Sequence, residues 1–301
     1  MKTKFFCKIF LILFSAFVPF AMTSCATMQV LSDTFISKDP ILGSDKGSVA
    51  KSIIGAGSSI VKAAEQITPE NEYYIGRSVA ATILTNYKTY ENPQQEIYLN
   101  KICRTITEKS SRTEIYNGYH VKILDTNEVN AFATSGGHIF VTCGLINCAK
   151  SEDALASVIA HEVSHIQLKH SIKAIKTSRW TKAGINSLDA LVAMSSEEAA
   201  GELDNTVNDI ISNMVNSGYS KRQEYDADKT ALTLMQQAGY NPHAMMDFLQ
   251  VLQIQEKKSS TGFSKTHPSA SSRLSKVKEE LKKLPASEDT SEFRAERFQG
   301  I

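Results

Sequence analysis

The chain has 301 residues, 42% hydrophobic and 22% charged, with 15 Gly and 7 Pro. That composition excludes collagen-like, coiled-coil and wholly disordered chains, and the length can bury a real core in one large domain or two modest ones. Net charge is +1, from 33 basic and 32 acidic residues, so no nucleic-acid polyanion is expected as a partner.

Lys2, Lys4 and Lys8 lead into an uncharged, mostly apolar run from Ile9 to Met22. The run is shorter than the roughly 17–25 residues of a membrane-spanning helix and reads as the core of a secretory signal over residues 1–24. Thr23-Ser24-Cys25-Ala26 resembles a bacterial lipobox, with Met22 where Leu is usual. The resemblance implies cleavage before Cys25, lipidation of that cysteine, and stable membrane attachment through two or three acyl chains. Without the leader, 30 basic residues face 32 acidic ones, a net of −2. Cys103, Cys143 and Cys148 then remain. Their number is odd, so at most one intramolecular disulfide can form, and their spacing fits no zinc ribbon or finger; buried free thiols are the other reading.

Residues 26–68, rich in Gly and Ser, read as a tether. Thr68-Pro69-Glu70 starts a helix: a capping hydroxyl, Pro in the first turn, then an acid near the positive end of the dipole. That helix is expected to reach about Tyr90, and a second runs from Pro93 to about Ser110. Period-two alternation marks a strand at Tyr119–Leu124; Asn130–Thr134 and His138–Thr142 follow as two more, separated by Gly136-Gly137. Ser151-Glu152-Asp153 opens a helix striped by Leu155, Val158, Ile159, Val163 and Ile166. Residues 177–218 are mixed and include Trp180, read as a packing anchor. Helices are expected again at 220–238, 243–257 and 270–284, and residues 285–301 read as a polar tail.

The chemistry sits on the striped helix, at His161-Glu162-Val163-Ser164-His165. Helical positions four apart lie about 40° apart around the axis, so both imidazoles can reach one metal. Zinc suits two His plus a carboxylate and keeps a position open for water. Glu162 is placed to take that water's proton. A third ligand must come from elsewhere, and Glu224 with Asp228, again four apart, is the candidate pair. The first would ligate and the second would hold the outer N–H of a ligating His. His170, nine residues beyond His161, would sit half a turn away on a solvated face.

Together these pieces resemble the zinc metallopeptidases of the HtpX and CAAX-prenyl-protease type, within the gluzincins. The matching residues run in order through Asn130-Ala131-Phe132-Ala133, Gly137-His138-Ile139-Phe140-Val141, Gly144-Leu145 and Glu152-Asp153. They continue through the His161–His165 motif, Glu224 with Ala227-Asp228, His267-Pro268 and Arg273-Leu274. The resemblance implies one zinc ion held by His161, His165 and Glu224, with Glu162 as general base and Asp228 supporting a ligand. It further implies an α+β fold, a mostly helical zincin-type domain over residues 69–284 with a small sheet. The strand at 138–142 would be the edge that binds an extended peptide, so Asn130, His138, Ile139 and Phe140 are the expected substrate contacts.

The likeness departs from HtpX and the prenyl proteases in one respect. No second apolar segment reaches spanning length, since the stretch around Leu188–Met194 is interrupted by Asp189. The lipid-anchored BepA- and LoiP-like branch of the bacterial cell envelope fits better, though BepA-type helical repeats are not seen. The expectation is a zinc endopeptidase facing the periplasm, acting on peptides or misfolded envelope proteins. The competing reading is a chaperone-like assembly factor with a regulated or vestigial zinc site. His267, held extended by Pro268, has three readings: a fourth ligand that closes the site, an oxyanion donor together with Arg273, or a helix cap.

Overall fold

The computed structural model describes residues 69–113, 115–173, 208, 211, 218–258, 263–285 and 291–299. The expected signal, Cys25, the tether, Trp180 and nearly all of the 177–218 stretch lie outside these residues.

Helix α1 (Pro69–Asn86) and helix α2 (Pro93–Thr107) come first. Pro stands at the start of both, and the Asn92 side chain accepts the Gln95 amide, one of the donors a helix start leaves unsatisfied. Strands β1 (His120–Leu124), β2 (Ala131–Ala133) and β3 (His138–Thr142) follow. A short helix α3 (Cys143–Cys148), not expected from the sequence, is capped by the Thr142 hydroxyl. Helix α4 (Glu152–Gln167) starts at Ser151, whose side chain accepts the Ala154 amide. Helix α5 (Lys221–Gln237) begins with a reciprocal Ser220–Gln223 capping box. Helices α6 (His243–Lys258), α7 (Phe263–Thr266), α8 (Ala270–Leu281) and α9 (Ser291–Phe298) complete the chain.

The sheet order is β1-β3-β2, with β1 parallel and β2 antiparallel to β3. This corrects the expectation for residues 138–142. Ile139 is in register with Val121 on one side and Ala133 on the other, and Phe140 with Lys122 and Phe132. Both ladders of β3 are taken, so no peptide can add there. His138 and Ile139 are buried, and the His138 ring stacks on Tyr73 at 5.4 Å. The outer edge of β1 is covered as well. Asn100 bonds both the amide and the carbonyl of Val121, and the Tyr90 amide bonds the Ile123 carbonyl.

Helix α4 lies at the centre, packed against α2, α5, α6, α9 and the sheet. Every residue from Glu152 to Ile166 is buried, so this helix needs no polar face and its charged residues must find partners inside. α1 closes over the β2–β3 turn: a Cβ on Gly76 would fall 1.5 Å from the Ser135 carbonyl oxygen. Gly136 and Gly137 carry φ of 80° and 101°, where side chains are strained. Cys103 is buried as a free thiol, whereas Cys143 and Cys148 are only half-buried.

The residues read as a polar tail behave otherwise. Arg294 on α9 makes a bidentate pair with Asp153, at 2.8 and 3.0 Å, and Arg297 grips Glu152 in the same way. A tail of that composition reads as solvated because nothing local shows that its arginines match two buried acids on the first turn of α4. Among the described residues, no helix is long and apolar enough to cross a membrane.

Candidate metal centre

The third and fourth turns of α4 bring His161 and His165 together, with their Nε2 atoms 3.0 Å apart. α5 supplies Glu224, whose oxygens lie 3.4 Å from His161 Nε2 and 3.5 Å from His165 Nε2. His267, just past α7, puts Nδ1 at 2.9 and 3.1 Å from the two Glu224 oxygens. Ligand atoms of all four residues fall within 4.8 Å of one another, and all four residues are buried.

That donor set fits a zinc-like cation. Tetrahedral ligands each about 2.05 Å from zinc stand roughly 3.3 Å apart, close to the separations found. The pocket also favours positive charge. Burial and Arg273 push His161 down, yet Asp228 and Glu224 outweigh them and raise it to about 9. Glu224 shows the converse. Burial would raise it, but His267, His161 and His165 hold it well below the usual carboxylate range.

The candidate ligands are themselves held. Asp228 Oδ1 lies 3.0 Å from His161 Nδ1, which fixes the ring with Nε2 toward Glu224. Asp228 is in turn clamped by Arg273, through Nε at 2.9 Å and Nη2 at 2.5 Å. Two of the three guanidinium nitrogens of Arg273, which is 2% exposed, are thus committed to Asp228, while Nη1 has no hydrogen-bond partner and lies 3.7 Å from Glu224 Oε2. His165 has an unexpected support. Its Nδ1 lies 2.9 Å from His170 Nδ1, and His170 is buried rather than solvated. The half-turn argument fails because α4 ends at Gln167 and Lys169 turns left-handed, φ 56°, bringing His170 back. Burial holds His170 at about 4 and His165 well below its ordinary value, so both rings are neutral.

Glu162 is 1% exposed, its Oε1 has no hydrogen-bond partner, and burial pushes its carboxyl up. His267 Nε2 is 3.9 Å from that oxygen. The cap of α8 is Ser269 rather than His267, and the His267 ring instead stacks on Phe263 at 4.1 Å. Asn130 does not face outward either. Its Oδ1 accepts from the Ala131 amide and the Thr266 hydroxyl, and its Nδ2 donates to Glu128. Asn130 therefore ties the start of β2 to the segment carrying His267. One residue has no sequence signal beyond standing before a helix cap. Tyr219 stacks on His165 with centroids 4.3 Å apart and planes at 24°. Its hydroxyl is buried and unpartnered; Ser171 lies close, without hydrogen-bonding geometry.

Two histidines and a glutamate from two helices, with an unpaired carboxylate beside them, define a metal-dependent hydrolase of the metallopeptidase class. Residues 93–281 match Peptidase family M48, and the chain belongs to that family. It is 29% identical over 216 residues to the beta-barrel assembly-enhancing protease of Escherichia coli, covering 67% of this chain and 41% of that protein. Mitochondrial metalloendopeptidase OMA1 of Schizosaccharomyces pombe is 29% identical over 202 residues, covering 65% and 56% respectively. Metalloprotease LoiP of Escherichia coli is 28% identical over 164 residues, covering 53% and 62%. The chain thus spans less than two thirds of the length of each of these relatives.

Proposed function

We propose that this chain is a zinc-dependent endopeptidase of the bacterial cell envelope, attached to a membrane through lipidated Cys25 and acting in quality control of envelope proteins. The observation that carries the reading is the convergence of His161, His165 and Glu224 beside an unpaired, buried Glu162. The name of the beta-barrel assembly-enhancing protease, together with the Cys25 motif, supports the envelope assignment.

A zinc ion held by those three residues would polarise the scissile carbonyl and acidify a water. Glu162, its carboxyl raised by burial, takes the proton of the attacking water and hands it to the leaving amine nitrogen. Asp228 and Arg273 keep His161 in one tautomer, and His170 does the same for His165. The peptide is assigned to β2 rather than β3. Residues 130, 132 and 134 bond toward β3, so Ala133 and the Ala131 carbonyl face the other side, while the Ala131 amide is bonded to Asn130 Oδ1. No described strand pairs there.

Glu162→Gln in the full chain should retain zinc and lose at least about 10²-fold in proteolysis, the lower range for a placed general base. Such a form should also retain bound substrates for identification. Undiminished cleavage would overturn the reading.

The position of His267 favours a regulated site as a second reading. As a fourth ligand it would close the centre to water. His267→Ala should then raise basal proteolysis several-fold; a lower rate at constant zinc content would instead make it a donor to substrate.

A further inference from the structure

Buried polar atoms without partners are rare in folded chains, and each calls for a reason. Among the described residues, the metal centre holds three: Glu162 Oε1, Arg273 Nη1 and the Tyr219 hydroxyl. Glu162 is explained by the proposed base role, and Arg273 Nη1 lies 3.7 Å from Glu224 Oε2, a loose ion pair. Tyr219 remains.

Its ring lies flat against that of His165, and the hydroxyl is close enough to Glu162 and Glu224 to feel both charges. A phenol so placed has no acceptor among its neighbours in suitable geometry. Of the two carboxylates nearby, Glu224 is bonded to His267, and Glu162 Oε1 and the phenol are both left unpartnered rather than bonded to each other. A neutral tyrosine is one of the few side chains that can donate a single, rigidly aimed hydrogen bond into such a place. The stack on His165 and the capped start of α5 at Ser220 hold it before any substrate arrives. Donors of this kind act where negative charge develops, since their orientation is settled in advance.

We propose that Tyr219 is a further catalytic residue, whose hydroxyl donates a hydrogen bond to the scissile carbonyl oxygen as that oxygen becomes negative. This rests on the peptidase reading above. Arg273 is the poorer donor of the two, because its Nε and Nη2 are bound to Asp228 and its Nη1 faces Glu224 Oε2 at 3.7 Å.

The test uses the full chain loaded with zinc, fluorogenic casein as substrate and a phosphinic pseudopeptide as transition-state mimic. Tyr219→Phe keeps the ring and removes only the donor. The expected result is a fall in kcat of about 10²-fold with KM and zinc content nearly unchanged. The mimic should bind more weakly by a similar factor, while a cleaved product peptide binds as before. Tyr219→Leu, which also loses the stack, should lower zinc affinity in addition. Wild-type kcat and wild-type mimic affinity in Tyr219→Phe would overturn the proposal. So would the same losses in Ser171→Ala, which would mean that the hydroxyl merely braces Ser171. A wild-type chain that neither cleaves casein nor binds the mimic would overturn the peptidase reading itself, and this assignment with it.

Discussion

Helix α4 carries two buried glutamates under opposite regimes. Glu152, in its first turn, and Glu162, beside the metal ligands, are each 1% exposed. Burial works to raise both carboxyls. At Glu152 the Arg297 guanidinium and the Tyr98 hydroxyl, 2.7 Å away, outweigh it and leave the group below its usual value. At Glu162 nothing outweighs it, and one oxygen stays unpaired. The first end of the helix is closed, with Asp153 saturated by Arg294 and the Asn241 amide. The other end is open. A buried charge cluster in which every oxygen is paired holds a fold together; one with atoms left over has something still to bind.

Breaking the closed end should give the largest effect on stability. Arg294→Met leaves Asp153 buried without its partner, which costs about 3–5 kcal/mol. In a domain of this size that is roughly a 6–20 °C fall in Tm, measurable by calorimetry, with zinc stoichiometry unchanged. A stability equal to wild type would show that the two ends do not differ in kind.

The histidines divide along the same line. His138 lies away from the centre, and burial lowers it to about 4, whereas His161 is raised to about 9. Between pH 6.5 and about 4 the unfolded chain protonates at residue 138 and the folded chain does not. Folding is therefore weakened as pH falls through that window, by up to roughly 3 kcal/mol at its lower end. Urea unfolding across this range should show a smaller acid-side slope in His138→Phe than in wild type. Identical slopes would remove His138 from the acid response.

A smaller effect separates holding a ligand from being one. Asp228→Asn keeps the shape but loses the charge facing His161, and zinc affinity should fall about 10–100-fold in a chelator competition. Unchanged affinity would mean that Arg273 and Asp228 serve only the packing of α5 on α8.

The sequence by itself determined most of the elements and the candidate ligands. Periodicity placed helices at 69–86, 93–107, 152–167, 221–237, 243–258 and 270–281 and all three strands within a few residues, because apolar spacing and caps are local signals. It also determined that His161 and His165 share a face, and that Glu224 and Asp228 do, since four residues make about one helical turn. Only the tertiary structure decided which strand is central, for strand order follows from non-local pairing that alternation does not encode. It alone showed His170 behind His165, because a left-handed Lys169 carries no Gly or Asn to announce it. The same holds for Arg273 on Asp228, Arg294 on Asp153 and Tyr219 over His165. Each joins residues far apart in the chain, and what selects them is the need to pair a buried charge or fill a space that exists only once the helices have packed.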